Sequence, residues 1–142
     1  MNDIHLQIPA HAEYIDMVRI CLYGIASKMS FAYEDIEDMK VAVSEACNNA
    51  VVHGFQGGEV GMIDIRFTFD QQSLTIKIKN DGPEFMYAEA VDNAAPLDDA
   101  EVSNLRVGGL GIYLMQALMD DVEVQSDSTW TEVIMTKYVE GQ

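Results

Sequence analysis

Hydrophobic and polar positions along this chain follow two rhythms, one of period two and one of period three to four. Ile4, Leu6 and Ile8 alternate with polar residues and stop at Pro9. This predicts a short strand over Asp3–Ile8, placed at a sheet edge. Ile15, Val18, Leu22, Ile25 and Met29 recur at helical steps and predict a helix from about Ala12 to Met29. A second helix carries Glu34 and Asp35 in its first turn, where acids suit the macrodipole. Its apolar stripe is Ile36, Met39, Val43, Cys47 and Ala50, with Val51 beside it. Ile63, Ile65, Phe67 and Phe69 then alternate with Asp64, Arg66 and Thr68. After a turn at Asp70–Ser73, Leu74, Ile76 and Ile78 alternate with Thr75, Lys77 and Lys79. Two strands joined by so short a turn are antiparallel.

Glu84 to Val107 shows little periodicity and contains Pro96. Two readings stand: a lid over about 83–107, or a surface excursion with a short helix near Asp98–Leu105. The stretch Val107-Gly108-Gly109-Leu110-Gly111 opens a helix that continues through Met115, Leu118 and Met119. Val122–Gln125 and Thr131–Tyr138 end the chain as strands around a turn at Ser126–Thr129.

Three places along this pattern carry polar groups with a chemical use. Glu45, Asn49 and His53 stack at helical spacing on a stripe well away from the apolar one. A carboxylate and an amide oxygen one turn apart can hold a hard cation, or one can serve as base while the other holds a metal. The alternative is a solvated polar face closed by a glycine cap at Gly54. Asn80, in Asn80-Asp81-Gly82-Pro83, shares a strand face with Ile76 and Ile78, whereas Asp81 lies with Lys77 and Lys79. A polar residue ending a buried face needs a hydrogen-bond partner, from a ligand or from the turn. Gly109 and Gly111 at a helix start let backbone amides approach an anion. The stretch is neither a Walker loop nor a dinucleotide fingerprint, since it lacks both the Gly-Lys-Ser/Thr and the full glycine spacing. Thr131 alternates in step with Val133 and Met135.

Composition narrows the function classes. The 142 residues suit one domain over 1–142, and 49% of them are apolar, so a packed core is expected. No apolar run is long enough to span a membrane, and the N-terminal stretch lacks the regions of a signal peptide. Cys21 and Cys47 both fall on apolar helix faces and read as reduced core thiols, which fits a cytoplasmic location. The net charge of −16 argues against direct nucleic-acid binding and against anionic membranes. It favours a basic protein partner, or serves solubility alone. Arg19 and Lys28 are the only basic residues of the first helix, which makes Arg19 a candidate partner contact.

Glu45/Asn49, Asn80/Gly82 and Gly109/Gly111 arrive in the order of the N, G1 and G2 boxes of the GHKL ATPase superfamily. Within it the chain resembles the RsbW-type anti-sigma factor serine kinases of bacterial stress and sporulation switches. The wording VAVSEACNNAVVHG, GGLGIYLMQALMDDV and MTKY carries the resemblance, which covers nearly the whole chain. It implies an α+β fold: a two-layer α/β sandwich, with helices on one face of a mixed, mostly antiparallel sheet. It implies ATP and Mg²⁺ as cofactors, with Asn49 as the Mg²⁺ ligand and Glu45 as the base toward a Ser/Thr hydroxyl. Gly82 would let the backbone pass close to the nucleotide. Gly109, Leu110 and Gly111 would lie at the phosphates, and Thr131 near the adenine. The implied partners are a sigma factor, an anti-anti-sigma (STAS-type) protein as substrate, and a second copy in a homodimer.

The departure is Asn80, where the family has an Asp that accepts from the adenine amino group. Charged hydrogen bonds contribute roughly 1.5–3 kcal/mol and neutral ones roughly 0.5–1.5, so the expected loss is on the order of 1–2 kcal/mol. Arg106 is the only basic residue that the lid offers to a γ-phosphate. Two further readings follow: a partner-switch binding module with little kinase activity, and a detached histidine-kinase ATP domain. The second finds no acceptor-histidine helix in its support.

Overall fold

The computed structural model describes residues 1–53, 61–81, 109–127 and 129–140. Its strands are β1 (Asn2–Pro9), β2 (Met62–Phe69), β3 (Ser73–Asp81), β4 (Asp121–Ser126) and β5 (Trp130–Tyr138). Its helices are α1 (Ile15–Lys28), α2 (Tyr33–His53) and α3 (Gly109–Leu118), with a 3₁₀ turn at Ala12–Tyr14 ahead of α1. The sheet runs β1-β2-β3-β5-β4. All four pairings among the described residues are antiparallel, so the parallel component expected of a mixed sheet is not found there. β1 lies at an edge, as its closing Pro9 leads one to expect.

Side-chain alternation gives the sheet one buried face. Ile8, Ile63, Ile65, Phe67, Leu74, Ile76, Ile78, Val133 and Met135 are almost completely buried, while Arg66, Lys77 and Lys79 between them are not. Val18, Leu22 and Ile25 of α1, Met39, Val43 and Cys47 of α2, and Ile112 and Met115 of α3 complete one core. Burial pushes the Cys47 thiol up to about 12, against the opposing effect of the Arg19 charge. It is therefore an inert core thiol. Cys21 is only partly buried, less than its place in the helical pattern suggested.

The outer face is polar. Arg66 Nη1 donates to Asp3 Oδ2 at 2.7 Å, and Asp64 Oδ1 accepts from Gln7 at 2.8 Å. His5 also has a partner that the sequence did not reveal, its ring nitrogen lying 3.2 Å from Asp64 Oδ1. These pairs are exposed and add little stability.

Lys137 sets the direction of the helices over the sheet. It is an inner-face residue of β5 whose side chain is only 12% exposed. Its ammonium donates to the Leu118 carbonyl at 2.7 Å and lies 3.9 Å from Asp35 Oδ1. The start of α2 and the end of α3 therefore meet at one end of β5. From Asp35 to Asn49 is about 21 Å of helix. From Lys137 back to Thr131 is about 20 Å of strand. The end of α2 at Asn49 and the start of α3 at Gly111 also meet, so the two helices run antiparallel.

Replacing Lys137 with Met keeps the apolar stem and removes the charge. A charged hydrogen bond at a helix C-terminus is lost and Asp35 is left without its cation. The expected cost is about 1–2 kcal/mol, read as a lower urea midpoint at unchanged slope. An unchanged midpoint would mean that water satisfies both groups equally well.

Candidate functional site

Glu45 and Asn49 occupy the polar stripe of α2, but that stripe is not solvated. Asn49 is 7% exposed and Glu45 is half-buried. The cover comes from the first turn of α3. A Cβ added to Gly111 would sit 2.8 Å from Asn49 Nδ2 and 3.4 Å from Glu45 Oε2. A side chain at this position would have to displace the Asn49 amide from where it now lies. The polar-face reading of this stripe is therefore replaced by a packed contact between α2 and α3.

α3 begins at Gly109. Gly109, Leu110 and Gly111 form its first turn, whose N–H groups have no acceptor within the helix. The macrodipole puts its positive end there. Asn49 Nδ2 is buried beside this turn and has no hydrogen-bond partner among the described residues. The two ends of an amide have nearly the same shape, so that position can present either a donor or Oδ1. An anionic oxygen or a hard cation bound to one would satisfy it.

A second polar pair lies across the sheet. Asn80 on β3 stands opposite Thr131 on β5, and both face the core as the alternation predicted. They are 7% and 2% exposed. Thr131 Oγ1 has no hydrogen-bond partner among the described residues. Lys79, the next residue back along β3, turns to the other face and lies over the Trp130 ring at 4.9 Å. The inner pair is thus neutral, and a cation–π contact holds the strands behind it.

Arg19 is neither free nor fully exposed. Its guanidinium donates to Ser44 Oγ at 2.9 Å, and Ser44 Oγ donates to the Lys40 carbonyl at 2.7 Å. A surface groove of about 270 Å³ runs beside it, lined by Asp16, Arg19, Ile20, Tyr23 and Lys40. Arg19 therefore belongs to the α1–α2 seam, and no described contact joins it to the Glu45–Asn49–Gly111 cluster. Gly82, the Gly54 cap, Arg106 and the expected lid lie outside the described residues. Sequence reasoning missed Ser44 and Lys137. Ser44 gave no signal, whereas Lys137 shares the parity of Thr131, Val133 and Met135.

Known proteins resemble this chain along nearly its whole length. The histidine kinase-like ATPase domain family matches residues 8–137. A serine-protein kinase RsbW from Bacillus pumilus is 45% identical over 139 residues, spanning 96% of this chain and 85% of that protein. The serine-protein kinase RsbW of Bacillus velezensis is 43% identical over 140 residues, spanning 98% and 87%. Among solved structures, the RsbU and RsbW domains of a Mycobacterium tuberculosis protein superpose with a TM-score of 0.68 at 16% identity. That match covers 98% of this chain and 32% of that one. A chain of the SiaB–SiaC complex from Pseudomonas aeruginosa gives 0.61 at 13% identity, covering 94% and 89%. At these identities the structural matches speak for the fold alone. The profile match and the near-full-length identity to the kinases say more: this chain belongs to the histidine kinase-like ATPase domain family and, within it, to the RsbW-type serine-protein kinases.

Proposed function

We propose that this chain binds ATP·Mg²⁺ between α2 and the start of α3 and phosphorylates a STAS-type anti-anti-sigma protein on serine or threonine. In its other state it sequesters a sigma factor. The observation that carries this reading is the seating of Gly111 against Asn49 and Glu45. It joins a helix start suited to phosphate, an amide lacking a partner and a carboxylate in one place. Among the described residues no cluster of three His, Cys, Asp or Glu side chains gathers that could hold a metal ion. A cation at Asn49 would then take its other oxygens from phosphate and water, the usual habit of Mg²⁺. Glu45, half-buried beside Asn49, would act as the base toward the incoming hydroxyl.

The remaining parts of the proposal rest on surfaces. Met17, Ile20 and Tyr23 of α1 are 54%, 68% and 51% exposed. Such an apolar face supports a protein–protein contact, with a sigma factor or with a second copy in a homodimer. Arg19, at the edge of that face, is the residue we assign to a partner. Among the described residues no helix is long and apolar enough to cross a membrane, and we place the protein in the cytoplasm. Asn80 favours a second reading, a binding module with weak transfer, because it removes a charge from the base end of the site.

Calorimetric titration with ATP, with and without Mg²⁺, tests the first step. Micromolar-range, Mg²⁺-dependent binding is expected; no heat at millimolar ATP would leave only the binding module. Glu45→Gln should keep ATP binding within about twofold and lower transfer to the STAS-type protein by roughly a hundredfold or more. Transfer at the wild-type rate would remove Glu45 from the chemistry.

Gly111→Ala separates the site from the fold. Alanine in a helix is favoured over glycine by about 1 kcal/mol. The added carbon, however, displaces Asn49. We expect a melting temperature no lower than wild type, together with ATP binding weaker by about tenfold or more. Unimpaired binding would show that Asn49 need not stay where Gly111 leaves it.

A further inference from the structure

The two ends of the proposed nucleotide site differ in charge, and the difference bears on which nucleotide fits. At one end are the first turn of α3, Asn49 and Glu45. At the other, Asn80 and Thr131 face each other across β3 and β5, both buried and both neutral. A nucleoside triphosphate has the matching asymmetry, with its charge in the phosphates and a neutral, planar base opposite. At this end the polar groups that the described inner faces offer a base are the Asn80 amide and the Thr131 hydroxyl. Lys79 is turned away onto Trp130.

A carboxylate in place of Asn80 would be acceptor-only. It would take a hydrogen bond from a 6-amino purine and set lone pairs against the carbonyl of a 6-oxo purine. That repulsion, rather than the attraction, is what excludes the wrong base. Asn80 has no such bias. Its amide carries an acceptor and a donor of similar shape, exchanged by a half-turn of the side chain. The Thr131 hydroxyl also accepts or donates, and among the described residues Oγ1 has no partner to hold it in one role.

We propose that this chain does not discriminate at the 6-position of a purine and takes 6-oxo as well as 6-amino purine nucleoside triphosphates. The inference rests on the nucleotide site proposed above and names Asn80 as its specificity-determining residue. The absent charge costs affinity for the amino purine and removes the barrier to the oxo purine, which narrows the gap from both sides.

The test is calorimetric titration of the full chain with ATP and with ITP, both with Mg²⁺. Inosine presents the 6-oxo group without the further amino group of guanine. We expect the two dissociation constants to lie within about fivefold of each other. Asn80→Asp should tighten ATP and weaken ITP, separating them by roughly thirtyfold or more. Thr131→Val, a shape-conserving change, should weaken both nucleotides by the same factor. It should also leave the melting temperature unchanged or raised, because an unpartnered hydroxyl is removed. A wild-type preference for ATP beyond about thirtyfold would overturn the inference and leave the ATP site standing. Equal binding that Asn80→Asp leaves equal would also overturn it, since Asn80 would not be the reader. Binding of neither nucleotide would overturn both this inference and the site on which it rests.

Discussion

The distance between α2 and the first turn of α3 is the constraint on which the site depends. At this distance the missing side chain of Gly111 leaves room for the Asn49 amide and the Glu45 carboxylate. With hydrogen at Gly111, Asn49 and Glu45 lie directly against the helix start; with a methyl group, Asn49 Nδ2 would be 2.8 Å away and would have to move. The far end of α3 is held by a different force, the Lys137 ammonium on the Leu118 carbonyl. The same ammonium reaches Asp35 at the start of α2. Contact at one end and charge at the other leave α3 little freedom to slide along α2. Phosphoryl transfer depends on positioning more than on covalent chemistry, so this fixed pair of helices is the part of the fold that such a reaction would use.

The same region accepts a penalty that the rest of the core avoids. Asn49 Nδ2 and Thr131 Oγ1 are buried without partners among the described residues. Each such group costs on the order of 1–3 kcal/mol relative to a satisfied one. The surrounding core is almost wholly apolar, so these atoms stand out as the places where packing alone would have chosen otherwise. A ligand that hydrogen-bonds both recovers that cost on binding. Such a site is therefore stabilised by occupancy more than a site whose polar groups are already paired with one another.

Much of this was legible from periodicity. Strand parity put Asn80 with Ile78 and Thr131 with Val133 on the buried face, because a period of two leaves no freedom about which face a residue takes. The element order and the edge position of β1 followed from the same pattern and from Pro9. Asn49 was harder. Its own helix places it away from the apolar stripe, and α3, about sixty residues later, packs against it; helical periodicity reports one element's face and not its neighbour's. The His5–Asp64 contact was hidden for the same reason, since it joins strands from distant parts of the chain. Lys137 was visible as an inner-face residue but not as a hinge between helix ends. A lysine at the end of a buried row usually extends its ammonium to water, and nothing in the strand says that two helix termini lie within its reach.

Charge explains why a cation belongs in this site on the proposed reading. The chain carries a net charge of −16, and Glu45 adds a carboxylate beside the helix start. A triphosphate approaching it meets repulsion from both. Solvent salt screens the distant acids, with a decay length of about 8 Å at physiological ionic strength. It does not screen Glu45, which lies within the contact itself. The α3 dipole supplies only about half a positive charge, short of what the phosphates and Glu45 together carry. On that reading Asn49 would hold a divalent cation whose charge would correct the balance locally; a neutral amide would leave that charge whole, whereas a second carboxylate would cancel part of it. Affinity for the nucleotide should then rise with Mg²⁺ far more than with added monovalent salt, because the obstacle that remains at short range is one the ionic atmosphere cannot reach.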